Sequence, residues 1–216
     1  MTFCLDTKII EPDNAEKIDN AIILLHGYGG DGADISMLSL NWKRFLKNTI
    51  FLCPNGHQKC LVNPSGFQWF DLSKDDEEYI LNEARVAENV LHQFINEVKT
   101  KYNLSSSKIV LSGFSQGCMM ALNLGLTSTE KFNCVIGFSG KIINKNDLKK
   151  RMKSFPNILL IHGDADEVVP VSNILEAKDF LIRNNIDVNT QIIKNCSHHI
   201  PVEASSLALS YIKKNL

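Results

Sequence analysis

The 216-residue sequence contains no apolar run approaching the roughly 20 residues that a membrane-spanning helix requires. Its opening residues, MTFCLDTKII, lack the basic-then-apolar order of a secretory leader. A cytoplasmic protein without stable membrane insertion is therefore expected. Cationic excess is also missing: 23 Lys and Arg stand against 24 Asp and Glu, a net charge of −1. That balance offers no attraction for a phosphate backbone and excludes nucleic acid as a partner. The six cysteines, Cys4, Cys53, Cys60, Cys118, Cys134 and Cys196, form no C-x-x-C pair. In a chain this long, able to bury a core without staples, they are expected to be free thiols. No internal repeat, low-complexity tract or linker-like shift interrupts the sequence, so residues 1–216 are expected to form one domain.

What is present is an alternation. Short runs rich in Ile, Val and Leu recur at residues 21–25 (AIILL), 49–53 (TIFLC), 108–112 (KIVLS), 134–138 (CVIGF), 157–161 (NILLI) and 188–193 (VNTQII). Continuous apolar character over about five residues predicts strands buried on both faces. Between them, residues 78–100 place Ile80, Leu81, Ala84, Ala87, Val90, Leu91, Phe94 and Val98 on one stripe, with Glu83, Glu88, Asn96 and Lys99 elsewhere. This spacing predicts a long amphipathic helix. Residues 116–126, 172–184 and 202–213 read as further helices. The fold class expected is α/β, with a mostly parallel central sheet covered by helices on both faces. In such sheets chemistry collects at the carboxyl ends of strands.

At one such end the strand KIVLSGF runs into Gly113-Phe114-Ser115-Gln116-Gly117 and then into the helical pattern CMMALNLGL. This is G-x-S-x-G in strand-turn-helix context, where the flanking glycines allow a sharp turn that lifts a nucleophilic serine clear of the sheet. A similar run, Gly137-Phe138-Ser139-Gly140, has Lys141 in place of the second glycine, so Ser139 reads as a turn residue. A serine hydroxyl needs a base, and the base needs a carboxylate, in the chain order Ser, Asp, His. After Ser115 come the acidic strand-end loop Gly163-Asp164-Ala165-Asp166-Glu167 and then Asn195-Cys196-Ser197-His198-His199. Cys196 and the two histidines also suit a metal, but adjacent histidines point apart in most loops and the serine elbow has no use for zinc. The remaining component is an oxyanion hole, made by the N–H of Gln116 and one from the loop His26-Gly27-Tyr28-Gly29-Gly30, with Tyr28 as its donor. A phosphate cradle is the alternative for those glycines, and no G-K-[ST] is present to support it.

These motifs resemble the phospholipase/carboxylesterase family of α/β-hydrolases, the group that includes the acyl-protein thioesterases. The resemblance runs from LHGYGG at 25–30 through QWFDL at 68–72, GFSQG at 113–117 and HGDADEVVP at 162–170 to SHHI at 197–200. It implies an α/β-hydrolase fold without a large cap domain, and it carries the nucleophile to Ser115, the acid to Asp166, the base to His198 and the oxyanion amides to Tyr28 and Gln116. Ser197 replaces the glycine common before the base, His199 is an additional histidine, and Tyr28 stands where leucine is frequent. The resemblance further implies an acyl-binding groove around Leu61 to Leu72, with Trp69 and Phe70 beside it; Trp69 reads equally as a core residue. The expected activity is a serine hydrolase of carboxylic esters or thioesters that needs no cofactor and no metal. Small esters, lysophospholipids and acylated proteins are all candidate substrates, and a homodimer is left open. A serine peptidase on the same fold and a hydrolase-derived binding protein are the rival readings.

Overall fold

The computed structural model describes residues 2–13 and 17–216. In chain order its elements are β1 (Thr7–Ile10), β2 (Asn20–Leu25), α1 (Gly32–Trp42), β3 (Thr49–Pro54), β4 (Gln58–Lys59), β5 (Phe67–Gln68), α2 (Glu77–Tyr102), β6 (Ile109–Phe114), α3 (Gln116–Thr127), β7 (Cys134–Phe138), α4 (Lys145–Arg151), β8 (Asn157–Gly163), α5 (Ser172–Arg183), β9 (Val188–Ile193) and α6 (Val202–Asn215). Seven strands make one sheet in the order β1-β3-β2-β6-β7-β8-β9, and β4 and β5 make a separate ribbon. Every neighbouring pair in the large sheet is parallel except β1 against β3.

Strand alternation sends Ile23 and Leu25 of β2 to one face and Ile22 and Leu24 to the other. The first face of the sheet is covered by α2, α3 and α5, whose Phe94, Leu122 and Leu181 belong to the same core; the second is covered by α1 and α6, through Ile35, Trp42, Ala204 and Ile212. The Trp42 indole N–H donates to Ser205 O and Oγ at 3.1 and 3.0 Å, pinning α1 to α6. Helix α2 starts where the Asp76 carboxylate accepts the Tyr79 N–H, with Glu77 and Glu78 in its first turn, and it stops at Asn103 in the left-handed region. Among the described residues no helix is long and apolar enough to cross a membrane.

The structure departs from the sequence reading in three places. Strand β9 lies at the sheet edge, and only Ile193 on it is buried; among the described residues no strand pairs with its second edge. Glu88, expected off the buried stripe of α2, is itself buried, receiving Asn123 Nδ2–H at 2.6 Å, Thr127 O–H at 2.6 Å and the Arg151 guanidinium at 2.8 Å. Periodicity cannot register such partners, which come from α3 and α4. Finally, α1, α4 and β1 were not expected; α4 is mostly charged and buries Leu148 alone, too little to make a periodic signal.

Candidate active site

Strand β6 ends in the sharp turn at Ser115, whose φ of 53° and ψ of −115° lie outside the helical and extended regions. Such a backbone costs on the order of 1–3 kcal/mol and persists only where the surroundings enforce it. Here Ser115 N–H donates to Phe138 O at 2.8 Å. The flanking glycines are required sterically: a Cβ on Gly113 would strike the main chain of Gly117, and one on Gly117 would strike the carbonyls of Leu25 and His26. The turn thereby sets the first N–H groups of α3, which have no partner within the helix, beside the loop that leaves β2. Ser139, at the end of β7, also has positive φ, 48°, and its N–H donates to Ile161 O of β8 at 2.9 Å, the same relation one strand further along the sheet.

Two loops bring the remaining groups to Ser115. His198, in the loop between β9 and α6, places Nε2 at 3.0 Å from Ser115 Oγ and Nδ1 at 2.8 Å from Asp166 Oδ2. Asp166, in the loop after β8, accepts the N–H groups of Val168 and Val169 on its other oxygen at 3.0 and 2.8 Å. Burial pushes its carboxyl upward, but the His198 hydrogen bond, the two amides and the imidazole charge outweigh that and hold it below the usual carboxylate range. An anionic acceptor on Nδ1 fixes the tautomer that leaves Nε2 free to take a proton from the hydroxyl. The buried His162, which the motif reading passed over, donates Nε2–H to Val169 O at 2.7 Å and lies 3.4 Å from Asp166 Oδ2. His199 is exposed, with Nδ1 3.1 Å from Ser197 Oγ, and does not reach Ser115 or Asp166. Asp164 Oδ1 instead accepts the Asn195 N–H at 2.6 Å, joining the acid loop to the base loop.

The glycine loop after β2 is held from several directions. His26 is buried with Nδ1 2.7 Å from Gly27 O and Nε2 accepting the Gly56 N–H at 2.9 Å. Only a neutral ring protonated on Nδ1 satisfies both contacts, and burial pushes its pKa down, against the pull of Gly27 O, Asp31 and Asp34. Gly29 N–H donates to Phe67 O and Phe67 N–H to Gly30 O, at 2.9 and 2.8 Å. Gly27, Gly29 and Gly32 also satisfy G-x-G-x-x-G between a strand and a helix, so the motif alone does not dispose of a phosphate cradle. Local chemistry does: Asp31 caps α1 by accepting the Asp34 N–H, Asn55 Oδ1 takes the Gly32 N–H, and Asp34 adds a second carboxylate to the first turn. An anion would meet occupied amides and negative charge.

A cavity of about 360 Å³ opens beside the serine turn, lined by the 26–30 loop, by Asp34, Ile35, Met37 and Leu38 of α1, and by Phe114, His198, His199 and Ile200. Tyr28 is on this wall, and its phenol is pushed up to about 12 by burial, then by its hydrogen bond to Cys60 and the charges of Cys60 and Asp71. Leu61, Trp69 and Phe70, expected in an acyl groove, do not line this cavity. Leu61 is 66% exposed, whereas Trp69 and Phe70 are buried in the core. Their motif is tied to the site through polar groups: Gln116 Oε1 accepts the Trp69 N–H at 2.8 Å and Gln116 Nε2 donates to Phe70 O at 2.7 Å. The α1 wall was missed because α1 itself was, whereas His26 could have been read from its place in LHG.

Residues 6–216 match the family model described as phospholipase/carboxylesterase. Among curated proteins, acyl-protein thioesterase 1 of Schizosaccharomyces pombe is 30% identical over 197 residues, covering 85% of this chain and 84% of that one. Esterase YpfH of Escherichia coli is 26% identical over 195 residues, covering 89% and 81%. Among solved structures, esterase PE8 superposes with a TM-score of 0.93 at 35% identity, covering 98% of this chain and 99% of that one.

Proposed function

The chain belongs to the phospholipase/carboxylesterase family of α/β-hydrolases and is a serine hydrolase of carboxylic esters or thioesters; from that premise we propose that Ser115 is its nucleophile, His198 its base and Asp166 the carboxylate that orients the base. The observation that carries this assignment is the continuous pair of hydrogen bonds from Ser115 Oγ to His198 at 3.0 Å and from His198 to Asp166 at 2.8 Å.

In this reaction Ser115 Oγ attacks the acyl carbon while its proton passes to His198 Nε2. The carbonyl oxygen becomes an oxyanion held by the main-chain N–H groups of Tyr28 and Gln116. His198 then gives its proton to the departing alkoxide or thiolate, leaving an acyl-enzyme on Ser115. Water, deprotonated by the same imidazole, then attacks the acyl carbon, and His198 returns the proton to Ser115 Oγ as the acyl–oxygen bond breaks and the carboxylic acid leaves. Asp166 remains ionised and stabilises the imidazolium at each proton transfer. The enzyme's substrates are small esters, lysophospholipids or acylated proteins, and its location is the cytoplasm. The S. pombe relative, named as an acyl-protein thioesterase, supports the acyl-protein member of that set.

Graded p-nitrophenyl esters and acyl-thioesters, with Ser115→Ala as blank, test the reading. Ser115→Ala lowers kcat by about four to six orders of magnitude with an unchanged melting point. Retention of more than a tenth of the native rate would end the assignment.

A further inference from the structure

Trp69 is fully buried, yet its two N–H donors reach opposite halves of the site. The indole Nε1–H donates to His26 O at 2.9 Å, two residues before Tyr28. The backbone N–H donates to the side chain of Gln116 at 2.8 Å, and that side chain returns a bond to Phe70 O at 2.7 Å. The same stretch of chain is paired with the glycine loop through Phe67, and the Trp69 ring lies 5.1 Å from the His26 ring at 31°. A buried indole N–H requires an acceptor, but packing alone does not require that the acceptor belong to one oxyanion loop while the neighbouring amide grips the other.

Resting on the assignment of Tyr28 and Gln116 as the oxyanion donors, we infer that Trp69 is a positioning residue that fixes the distance between those two amides. Its indole sets the loop that carries Tyr28, and its main chain sets Gln116. The two donors stand on different elements, β2's exit and the start of α3; the β2–β6 pairing ends at Leu25 and Gly113, and beyond it Trp69 is hydrogen-bonded to both sides. Oxyanion stabilisation depends on donors already aimed at the point where charge develops. A brace between the donors therefore acts on the transition state and leaves ground-state binding alone. The core position of Trp69 fits this role and removes it from the groove wall expected from sequence.

Two variants break the brace at different ends. Trp69→Phe keeps an aromatic body and deletes the indole donor; Gln116→Met keeps the length of the side chain and deletes the grip on Trp69 and Phe70. For each, kcat and KM are measured with p-nitrophenyl esters of two to eight acyl carbons, together with Ki for an alkyl trifluoromethyl ketone. The Ser115 hydroxyl adds to that ketone to give a tetrahedral oxyanion, its proton passing to His198. The brace predicts that kcat/KM falls about 10- to 100-fold, KM stays within about threefold at every chain length, and Ki rises by the same factor as kcat/KM falls. An unchanged Ki in the folded variants, or a KM that worsens with acyl length, overturns the inference; the second result returns Trp69 to a groove wall. Should Trp69→Phe fail to fold, Gln116→Met, which leaves the indole in place, decides alone. A Ser115→Ala enzyme that stays active removes the site assignment itself, whereas an inactive one beside an unchanged Ki removes only the brace.

Discussion

Gly117→Ala isolates the steric condition on which the serine turn depends. A methyl group there would lie 2.5 Å from the Leu25 carbonyl carbon and 2.6 Å from His26 O. It would strike the Leu25 carbonyl oxygen harder still; carbon–oxygen contacts relax at about 3.3 Å or beyond, so the start of α3 and the end of β2 must separate by roughly 1 Å or more. Both obstacles are main-chain atoms, which no rotamer change removes. The separation runs between Gln116 and the loop carrying Tyr28, and a misplacement of that size costs on the order of 100-fold in rate. Overpacking adds a loss of about 1–3 kcal/mol in stability. Gly125→Ala is the control: its methyl would meet the Val135 Cγ2 at 2.5 Å, a side-chain clash in the last turn of α3, at the opposite end of the helix from Ser115. Steady-state kinetics with a short p-nitrophenyl ester and thermal unfolding of both variants decide the matter. Gly117→Ala loses kcat and stability together, and Gly125→Ala loses stability alone. A Gly117→Ala enzyme within threefold of the native rate would refute the close-approach argument, as would an equal rate loss in both.

The acid loop separates two aspartates: Asp166→Asn costs several orders of magnitude in kcat because the amide favours the wrong imidazole tautomer, whereas Asp164→Asn, which still accepts the Asn195 N–H, changes kcat by less than about tenfold. The reverse order in an ester assay would reassign the acid. His198→Ala abolishes hydrolysis while His199→Ala, on the exposed side of the loop, stays within about tenfold of native, and an inactive His199→Ala beside an active His198→Ala would transfer the role of base. Away from the site, burial pushes the Glu88 carboxyl up, but His92 at 3.7 Å, the hydrogen bonds from Arg151 and Thr127 and the Arg151 charge bring it down from 4.5 to about 2. Because the folded-state value is depressed, the stabilisation is complete above the ordinary carboxylate range and disappears as pH falls toward 2. Glu88→Gln therefore lowers unfolding free energy by up to about 3 kcal/mol at pH 7, with the gap to native narrowing by pH 3; urea titrations that give the same gap at both values would contradict it.

Much of this architecture is legible in the sequence because the buried strands are rich in Ile, Val and Leu; Ser115 and Asp166 each follow one of them at its carboxyl end, and His198 follows the edge strand β9. The strand ending in Ser115, the loop after NILLIHG and the loop after VNTQII bring Ser115, Asp166 and His198 within hydrogen-bonding distance. The choice of His198 over His199 rests, at the level of sequence, on resemblance alone; in the structure the loop turns one imidazole inward and leaves the other exposed. The missing parts share a physical cause. Helix α1 buries Gly32, Ile35, Ser36, Ser39 and Trp42, an interior face whose two large apolar residues are separated by serines while Met37 and Leu40 are exposed, so no continuous apolar stripe announces it. The groove expected beside Trp69 and Phe70 comes from the resemblance alone; the two rings lie in the core, and their main chain is held by the Gln116 side chain. Glu88 shows the same limit from the opposite direction, since a charged residue gives no sign in sequence of the arginine that will meet it.

The most direct test of the whole account is to trap the acyl-enzyme. Enzyme mixed with excess p-nitrophenyl ester is quenched in acid during the first turnover, digested and analysed by mass spectrometry, while the release of p-nitrophenolate is followed in parallel. The account predicts an acyl group on the peptide containing Ser115, accompanying release of up to one equivalent of p-nitrophenolate per site, and no adduct in Ser115→Ala. Sustained turnover with the acyl group on another residue, or undiminished turnover in Ser115→Ala, would contradict it.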